Sequence, residues 1–252
     1  MPYTTHQGVR IHYQVEGAGP PLVLLHGFNS SLERWYESGY VEALRHDYHL
    51  ILLDARGHGA SDKPHERAAY AWPIPVADVV AVLDHLQIPQ AHVLGYSMGG
   101  EVCFGLAKYA PTRVISLLIG GMPAQENSFA SFDGIDGTDP EAFFTAFEAK
   151  LGMQLPADMK ARMRQNDLQA LAAAAQTRPS LVEVLPQMTM PCLLFVGEAD
   201  PWYTLVQDNA RHMPKATVVS FPGLGHAEVS RRADLVLPPV TQFLRAVMAG
   251  TV

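Results

Sequence analysis

Cysteine is scarce in this chain. Two residues, Cys103 and Cys192, occur among 252. Two cannot build a multi-bridge disulfide framework or a four-thiolate metal site. Each sits in an apolar run, the usual setting of a buried free thiol. Positive charge is scarce as well. Eighteen Lys and Arg stand against 25 Asp and Glu, a formal net charge of −7 with no basic cluster. Such a chain is a poor binder of phosphate backbones, and no nucleic-acid partner is expected. Long hydrophobic runs are missing too. Runs such as Leu22–Leu25, Val79–Leu83 and Leu117–Ile119 fall far short of the roughly 20 residues that cross a bilayer. Met1-Pro2-Tyr3 leads straight into polar residues, without the basic flank and apolar stretch of a secretory signal. A soluble, cytoplasmic protein with no membrane partner is the expectation. What the chain has in quantity is apolar residues, 48% against 17% charged. That supports a buried core and one large α/β domain, or one domain carrying an insertion.

The first half alternates strand-like and helix-like segments. Val9–Val15 reads as an early strand. Pro21–His26, Tyr48–Asp54, Ala91–Tyr96 and Val114–Ile119 are short continuous apolar runs, the pattern of strands buried on both faces. Between them lie helix candidates at Leu32–Leu44, Ile74–Leu86 and Met98–Tyr109. From Ala124 to Pro186 no convincing strand appears. Asp139-Pro140-Glu141 marks a helix start, with Asp at the N-cap and Pro in the first turn. Further helices are predicted around Ala157–Arg164 and Leu168–Gln176. The strand–helix rhythm then resumes: Cys192–Val196, Thr204–His212, Thr217–Phe221 and a closing helix Leu235–Met248. The fold class that follows is α/β, a mostly parallel sheet with helices on both faces. Residues 1–123 and 188–252 form its core, and 124–187 is a helical insertion. Insertions of this kind sit over the carboxyl ends of the strands, where ligands bind.

The strongest motif is Gly95-Tyr96-Ser97-Met98-Gly99-Gly100. It matches G-x-S-x-G in the required context of strand, sharp turn and helix. The glycines let strand and helix approach, so that the serine hydroxyl is presented at the sheet edge. The helix N-terminus then offers partial positive charge to a developing oxyanion. A nucleophilic serine needs a base, and the base needs an orienting acid. Asp200 falls just past the strand Cys192–Val196, with Glu198 as the rival acid nearer the strand. His226 follows the strand Thr217–Phe221 in a predicted loop, flanked by Gly225 and Ala227. An oxyanion hole needs backbone N–H groups. Met98, directly after the serine, supplies one. The loop His26-Gly27-Phe28-Asn29 supplies the other, from Phe28 with Asn29 as the alternative. His26, beside Gly27, is expected to hydrogen-bond within its own loop.

Taken together these residues resemble the α/β-hydrolase superfamily. The resemblance rests on His26-Gly27-Phe28, on Asp54-Ala55-Arg56-Gly57-His58-Gly59-Ala60-Ser61-Asp62, on the turn at Ser97, and on Asp200 and His226. The loop Asp54–Asp62 is similar to that of small capped members: carboxylesterases, enol-lactone hydrolases, C–C bond hydrolases and cofactor-free haloperoxidases. In those families it is structural, so Arg56 and His58 receive no catalytic role. The resemblance implies an α/β-hydrolase fold with a helical cap, Ser97 as nucleophile, His226 as base and Asp200 as acid. Related dehalogenases and epoxide hydrolases carry Asp where this chain has Ser97, which disfavours an alkyl-enzyme route.

The expected activity is hydrolysis of a carboxylic ester or lactone through an acyl-enzyme. The alternatives are C–C bond hydrolysis, perhydrolysis or haloperoxidation on the same triad, and a slow-turnover ligand-binding receptor. No metal and no cofactor are expected, since no ligand cluster or H-E-x-x-H motif occurs. The insertion carries nine acidic and five basic residues, which together with its apolar content points to a small apolar ester or lactone. Phe28, Met98, Met122 and Trp202 adjoin the triad in sequence and are the substrate-binding candidates. Phe143, Phe144, Phe147, Met153, Met159 and Met163 are expected to pack the insertion onto the core. The oligomeric state is left open by these observations.

Overall fold

The computed structural model describes residues 2–152 and 154–252; Met153 lies outside them. Eight strands form one sheet: β1 Tyr3–His6, β2 Val9–Glu16, β3 Pro21–Leu25, β4 His49–Leu53, β5 Ala91–Tyr96, β6 Val114–Gly120, β7 Cys192–Gly197 and β8 Ala216–Phe221. Their order is β1-β2-β4-β3-β5-β6-β7-β8. The first two are antiparallel to their neighbours, and β4 to β8 pair in parallel. The helices are α1 Glu33–Glu37, α2 Tyr40–Leu44, α3 Ile74–His85, α4 Met98–Tyr109, α5 Pro140–Leu151, α6 Ala157–Met163, α7 Leu168–Ala174, α8 Tyr203–Arg211, α9 His226–Val229 and α10 Ala233–Met248.

Successive residues of a strand point to opposite faces, and both faces are apolar here. In β3 and β4, Leu22, Leu24, Leu50 and Leu52 enter one layer with Trp35, Tyr40, Leu44, Val240 and Phe243 of α1, α2 and α10. Val23, Leu25, Ile51 and Leu53 enter the other with Val79, Leu83, Val102 and Leu106 of α3 and α4. Every residue of β5 and β7 is buried. The continuous apolar runs in the sequence are therefore the central strands of a sheet covered on both sides.

Between β6 and β7 the chain makes α5, α6 and α7 and no strand among the described residues, apart from one isolated bridge between Asn127 and Arg178. This segment has a cluster of its own: Phe129, Phe132, Phe143, Phe144, Leu155, Met163 and Leu171. The expectation that its aromatics pack onto the core needs correction. Phe143 and Phe144 are fully buried within the segment's own cluster, and Phe28 joins it from the loop after β3.

Three further differences from the sequence reading have local causes. The helix expected over Leu32–Leu44 is two helices, because Gly39 at φ +80° turns the chain between them. Strand β1 was not foreseen. It is a short polar edge strand, joined to β2 through Gln7 and Gly8, both at positive φ as a tight hairpin turn demands. The closing helix begins at Ala233 rather than Leu235.

His92 on β5 is buried, with Nδ1 2.7 Å from Ser116 Oγ on β6. Burial pushes its pKa down to about 4, whereas an unfolded imidazole titrates near ~6.5. The unfolded chain then takes up the proton more readily, so this contribution to stability is full above about pH 6.5. It drains away as pH falls through about 4. The double variant His92→Val/Ser116→Ala removes both partners. It should flatten the fall in Tm across that interval by roughly 5 °C. Calorimetric melts from pH 7 to pH 4 check this, and an unchanged slope would place the acid sensitivity elsewhere.

Candidate active site

At the carboxyl end of β5 the backbone turns sharply. Ser97 sits at φ 54°, ψ −116°, a region that L residues rarely occupy. Such strain costs roughly 1–3 kcal/mol and persists only where its surroundings enforce it. The enforcement is visible. The Ser97 amide donates to Gly120 O at 2.8 Å. Helix α4 starts at once and closes onto the sheet. A Cβ on Gly95 would overlap the carbonyl of Gly99, and one on Gly99 would overlap the carbonyl of Leu25 on β3.

His226 Nε2 lies 3.0 Å from Ser97 Oγ. Its Nδ1 lies 2.7 Å from Asp200 Oδ2. Asp200 is only 4% exposed, and its second oxygen accepts from the Trp202 amide at 3.0 Å. With Nδ1 donating to the carboxylate, Nε2 is left as acceptor towards the serine. Glu198, the rival acid, is exposed and bonds Ser220 Oγ at 2.9 Å instead. His226 is the first residue of the short helix α9, where a loop was expected. The Gly225 amide bonds Glu228 Oε2 at 2.6 Å and holds the entry to that helix.

Two residues frame the imidazole. Trp202 meets it edge-on at 5.1 Å between ring centres. The Tyr96 hydroxyl donates to the His226 carbonyl, and the Tyr96 ring lies 5.4 Å away. Burial, with Asp200 nearby, holds the Tyr96 phenol well above its ordinary pKa, so it remains a donor. Tyr96 was missed in the sequence reading. It stands one residue before the serine in a strand that reads as wholly buried, which gives no sign of a polar task.

The loop after β3 reaches the serine. A Cβ on Gly27 would stand 3.4 Å from Ser97 Cβ. Among the described residues nothing accepts a hydrogen bond from the amides of Phe28, Asn29 or Met98. His26 is buried and lies in its own loop as expected. Its Nδ1 lies 2.8 Å from Gly27 O, and its Nε2 accepts from the Ala55 amide at 3.1 Å. Burial lowers its pKa and keeps it neutral.

The substrate-binding candidates divide. Phe28 packs against His58, Phe129 and Phe147 and joins the site to the 124–187 segment. Trp202 flanks His226. Met98 lines a cavity of about 50 Å³ with His26, Arg56, Trp72, Glu101 and Arg178, a volume with room for a few waters. Met122 requires correction: it is 2% exposed, belongs to the core cluster and packs against Gly100. Sequence proximity to the β6 end did not reveal that its side chain turns under α4.

Similarity to known proteins bears on the family and the fold. The family model described as alpha/beta hydrolase fold matches residues 20–148. A non-heme chloroperoxidase of Streptomyces lividans is 26% identical over 96% of this chain and 99% of its own. An esterase from Rhodococcus sp. ECU1013 superposes with TM-score 0.79 at 25% identity, covering 97% of this chain and 98% of that one. The enol-lactonase of Burkholderia xenovorans LB400 shares the fold with TM-score 0.82 at 24% identity, covering 97% and 100%.

The close approach of α4 gives a direct test of the turn. Gly99→Ala should destabilise by about 1–3 kcal/mol through overpacking against Leu25. It should also slow fluorophosphonate labelling of Ser97 at least tenfold, by moving the helix that follows it. Thermal melts and labelling kinetics measure both. Wild-type values in each would mean that the approach is not what holds the serine.

Proposed function

The chain belongs to the alpha/beta hydrolase family, and on that footing we propose that it is a serine hydrolase of small carboxylic esters or lactones. The observation that carries this reading is the unbroken hydrogen-bonded line from Ser97 through His226 to Asp200. Ser97 Oγ attacks the acyl carbonyl while His226 Nε2 takes its proton. Asp200 holds the imidazole in the tautomer that leaves Nε2 free and stabilises the imidazolium. The amides of Phe28 and Met98 receive the oxyanion. His226 then returns the proton to the leaving oxygen. It next takes one from water, which attacks the acyl-enzyme and releases the acid. No step calls on a metal or an organic cofactor.

Residues 124–187 act as a cap over this site, on a core of 1–123 and 188–252. Their position between β6 and β7, their own aromatic cluster and the Phe28–Phe147 contact support that role. The substrate is apolar around the scissile bond, where Phe28, Trp202 and Met98 stand. The near full-length similarity to a chloroperoxidase favours one second reading. Hydrogen peroxide would replace water as the acceptor of the acyl group, and peracid formation from acetate would reveal it.

A fluorophosphonate should label a single serine, and Ser97→Ala should abolish labelling and ester hydrolysis while leaving the melt intact. Asp200→Asn should cost about 10⁴ in kcat, the scale of the equivalent change in a serine protease triad. Glu198→Gln should cost less than about tenfold. An adduct on another serine, or a crippled Glu198→Gln beside a normal Asp200→Asn, would require the triad to be redrawn.

The cap reading separates two neighbouring phenylalanines. Phe147 is partly buried and touches Phe28, whereas Phe143 is fully buried. Phe147→Ala should shift the preferred acyl length among nitrophenyl esters from acetate to octanoate. Phe143→Ala should lower stability by about 3–5 kcal/mol without changing that preference. Identical length profiles for both variants and wild type would remove Phe147 from the pocket.

A further inference from the structure

One polar network beside the site has no part in the triad chemistry. Glu101 lies in the first turn of α4, four residues after Ser97, and is buried. Asn127 Nδ2 donates to Glu101 Oε1, and Lys150 Nζ donates to Asn127 Oδ1. Arg178 is buried close by, donating to Tyr70 O at 2.9 Å and to Ala174 O at 3.2 Å. The cluster holds two cations and one acid. With Glu101 ionised it carries one surplus positive charge. Burial raises the Glu101 pKa, which can only enlarge that surplus.

The surplus is placed towards the site by Lys150. Its ammonium lies 4.8 Å from the centre of the Phe129 ring and 5.9 Å from that of Trp202. Phe129 packs on Phe28, and Trp202 packs on His226. The ammonium thus stands between two rings that each touch a ring of the site. Among the described residues it forms no ion pair with a carboxylate; its polar partner is the amide oxygen of Asn127. Lys150 is in the last turn of α5, where a cation is favoured by the helix dipole. Its Nζ nevertheless reaches Asn127 rather than a helix-end carbonyl. Burial lowers its pKa, partly offset by Glu101. A half-buried ammonium without an acid is costly unless an anion arrives to meet it.

We propose that Lys150 is a specificity-determining residue, and that the substrate is an ester or lactone carrying one carboxylate at the end remote from its scissile carbonyl. This rests on the hydrolase reading above. One ammonium flanked by aromatic rings suits a monoanion, whereas a phosphate dianion calls for more donors. The segment as a whole is net acidic, but Asp133, Asp136 and Glu141 are exposed on its outside. Lys150, the charge that the segment brings up to the ring packed on His226, has the opposite sign. The substrate expected from the net charge is therefore revised at its far end only, and remains apolar near the bond that breaks.

Mono(4-nitrophenyl) glutarate and its terminal amide make a matched pair, equal in length and leaving group and one negative charge apart. After subtraction of spontaneous hydrolysis, the wild-type enzyme should favour the acid at least tenfold in kcat/KM, chiefly through KM. Lys150→Met should lower kcat/KM on the acid about ten- to hundredfold, the scale of a lost charged hydrogen bond. It should leave the amide within twofold, which also certifies the fold. Lys150→Arg should retain part of the preference. Equal rates on the pair in wild type, or equal losses on both in Lys150→Met, overturn the inference. Failure of the hydrolase reading looks different, since neither ester would then turn over. In that case calorimetric titration with glutaramate decides: binding weakened in Lys150→Met upholds the anion site, and equal binding in both proteins overturns it.

Discussion

The backbone of Ser97, held at φ 54°, is the constraint on which the rest of the site depends. An L residue there must be compelled, and the compulsion comes from packing on three sides. β6 takes the serine amide through Gly120 O. α4 lies so close to β5 and β3 that Gly95 and Gly99 have no room for a side chain. With its backbone fixed in this way, the hydroxyl points off the sheet edge towards His226, 3.0 Å from Nε2. The stability given up at one residue is recovered over a sheet in which β5 and β7 are buried throughout.

A second hub fixes the loops around that turn. Asp54, at the end of β4, accepts from the amides of Leu32 at 2.8 Å and Ala60 at 2.9 Å, and its Oδ2 lies 2.7 Å from His12 Nδ1. A Cβ on Gly59 would overlap its carboxylate, which explains a glycine at φ +51° in that loop. Arg56 donates two bonds to Asp78 on α3, at 2.7 and 2.6 Å, and one to Ala69 O at 2.7 Å. His58 is buried, with its pKa pushed down to about 3 by desolvation first and by His26 next. A histidine this hard to protonate is a poor proton carrier near neutral pH. The charged and polar residues of Asp54–Asp62 thus tie the loops around the turn together, and the Ala55 amide holds the His26 ring.

What the sequence made legible was local. The glycines around Ser97, the apolar runs of β3 to β7 and the residues just past the ends of β7 and β8 each carry their signal within a few positions. The parts that escaped depend on contacts between distant segments. Strand β1 is too short and polar to announce itself, and exists because β2 offers it an edge. The break between α1 and α2 turns on one glycine inside an otherwise helical pattern. Met122 and Tyr96 sit beside the right residues in the chain, yet one side chain turns into the core and the other towards the His226 carbonyl. Neither direction follows from spacing alone.

Charge shows the same limit most sharply. Composition sums it along the chain, while a ligand meets only the charges that face it, weighted by the water excluded around them. The nine acids of residues 124–187 outnumber its five bases, and the sum pointed to an uncharged ligand. Exposed acids are screened by solvent and by salt over about 8–10 Å. Lys150 is half-buried between Phe129 and Trp202, so its field is screened less than theirs. Glu101 is the acid best placed to neutralise it, but Asn127 stands between them and Arg178 competes for the same carboxylate. One cation in such a position outweighs several acids on the far side of a helix. The charge that the 124–187 segment brings up to Trp202 depends on three residues drawn from α4, α5 and the strand-like bridge at Arg178, which come together only in the folded chain.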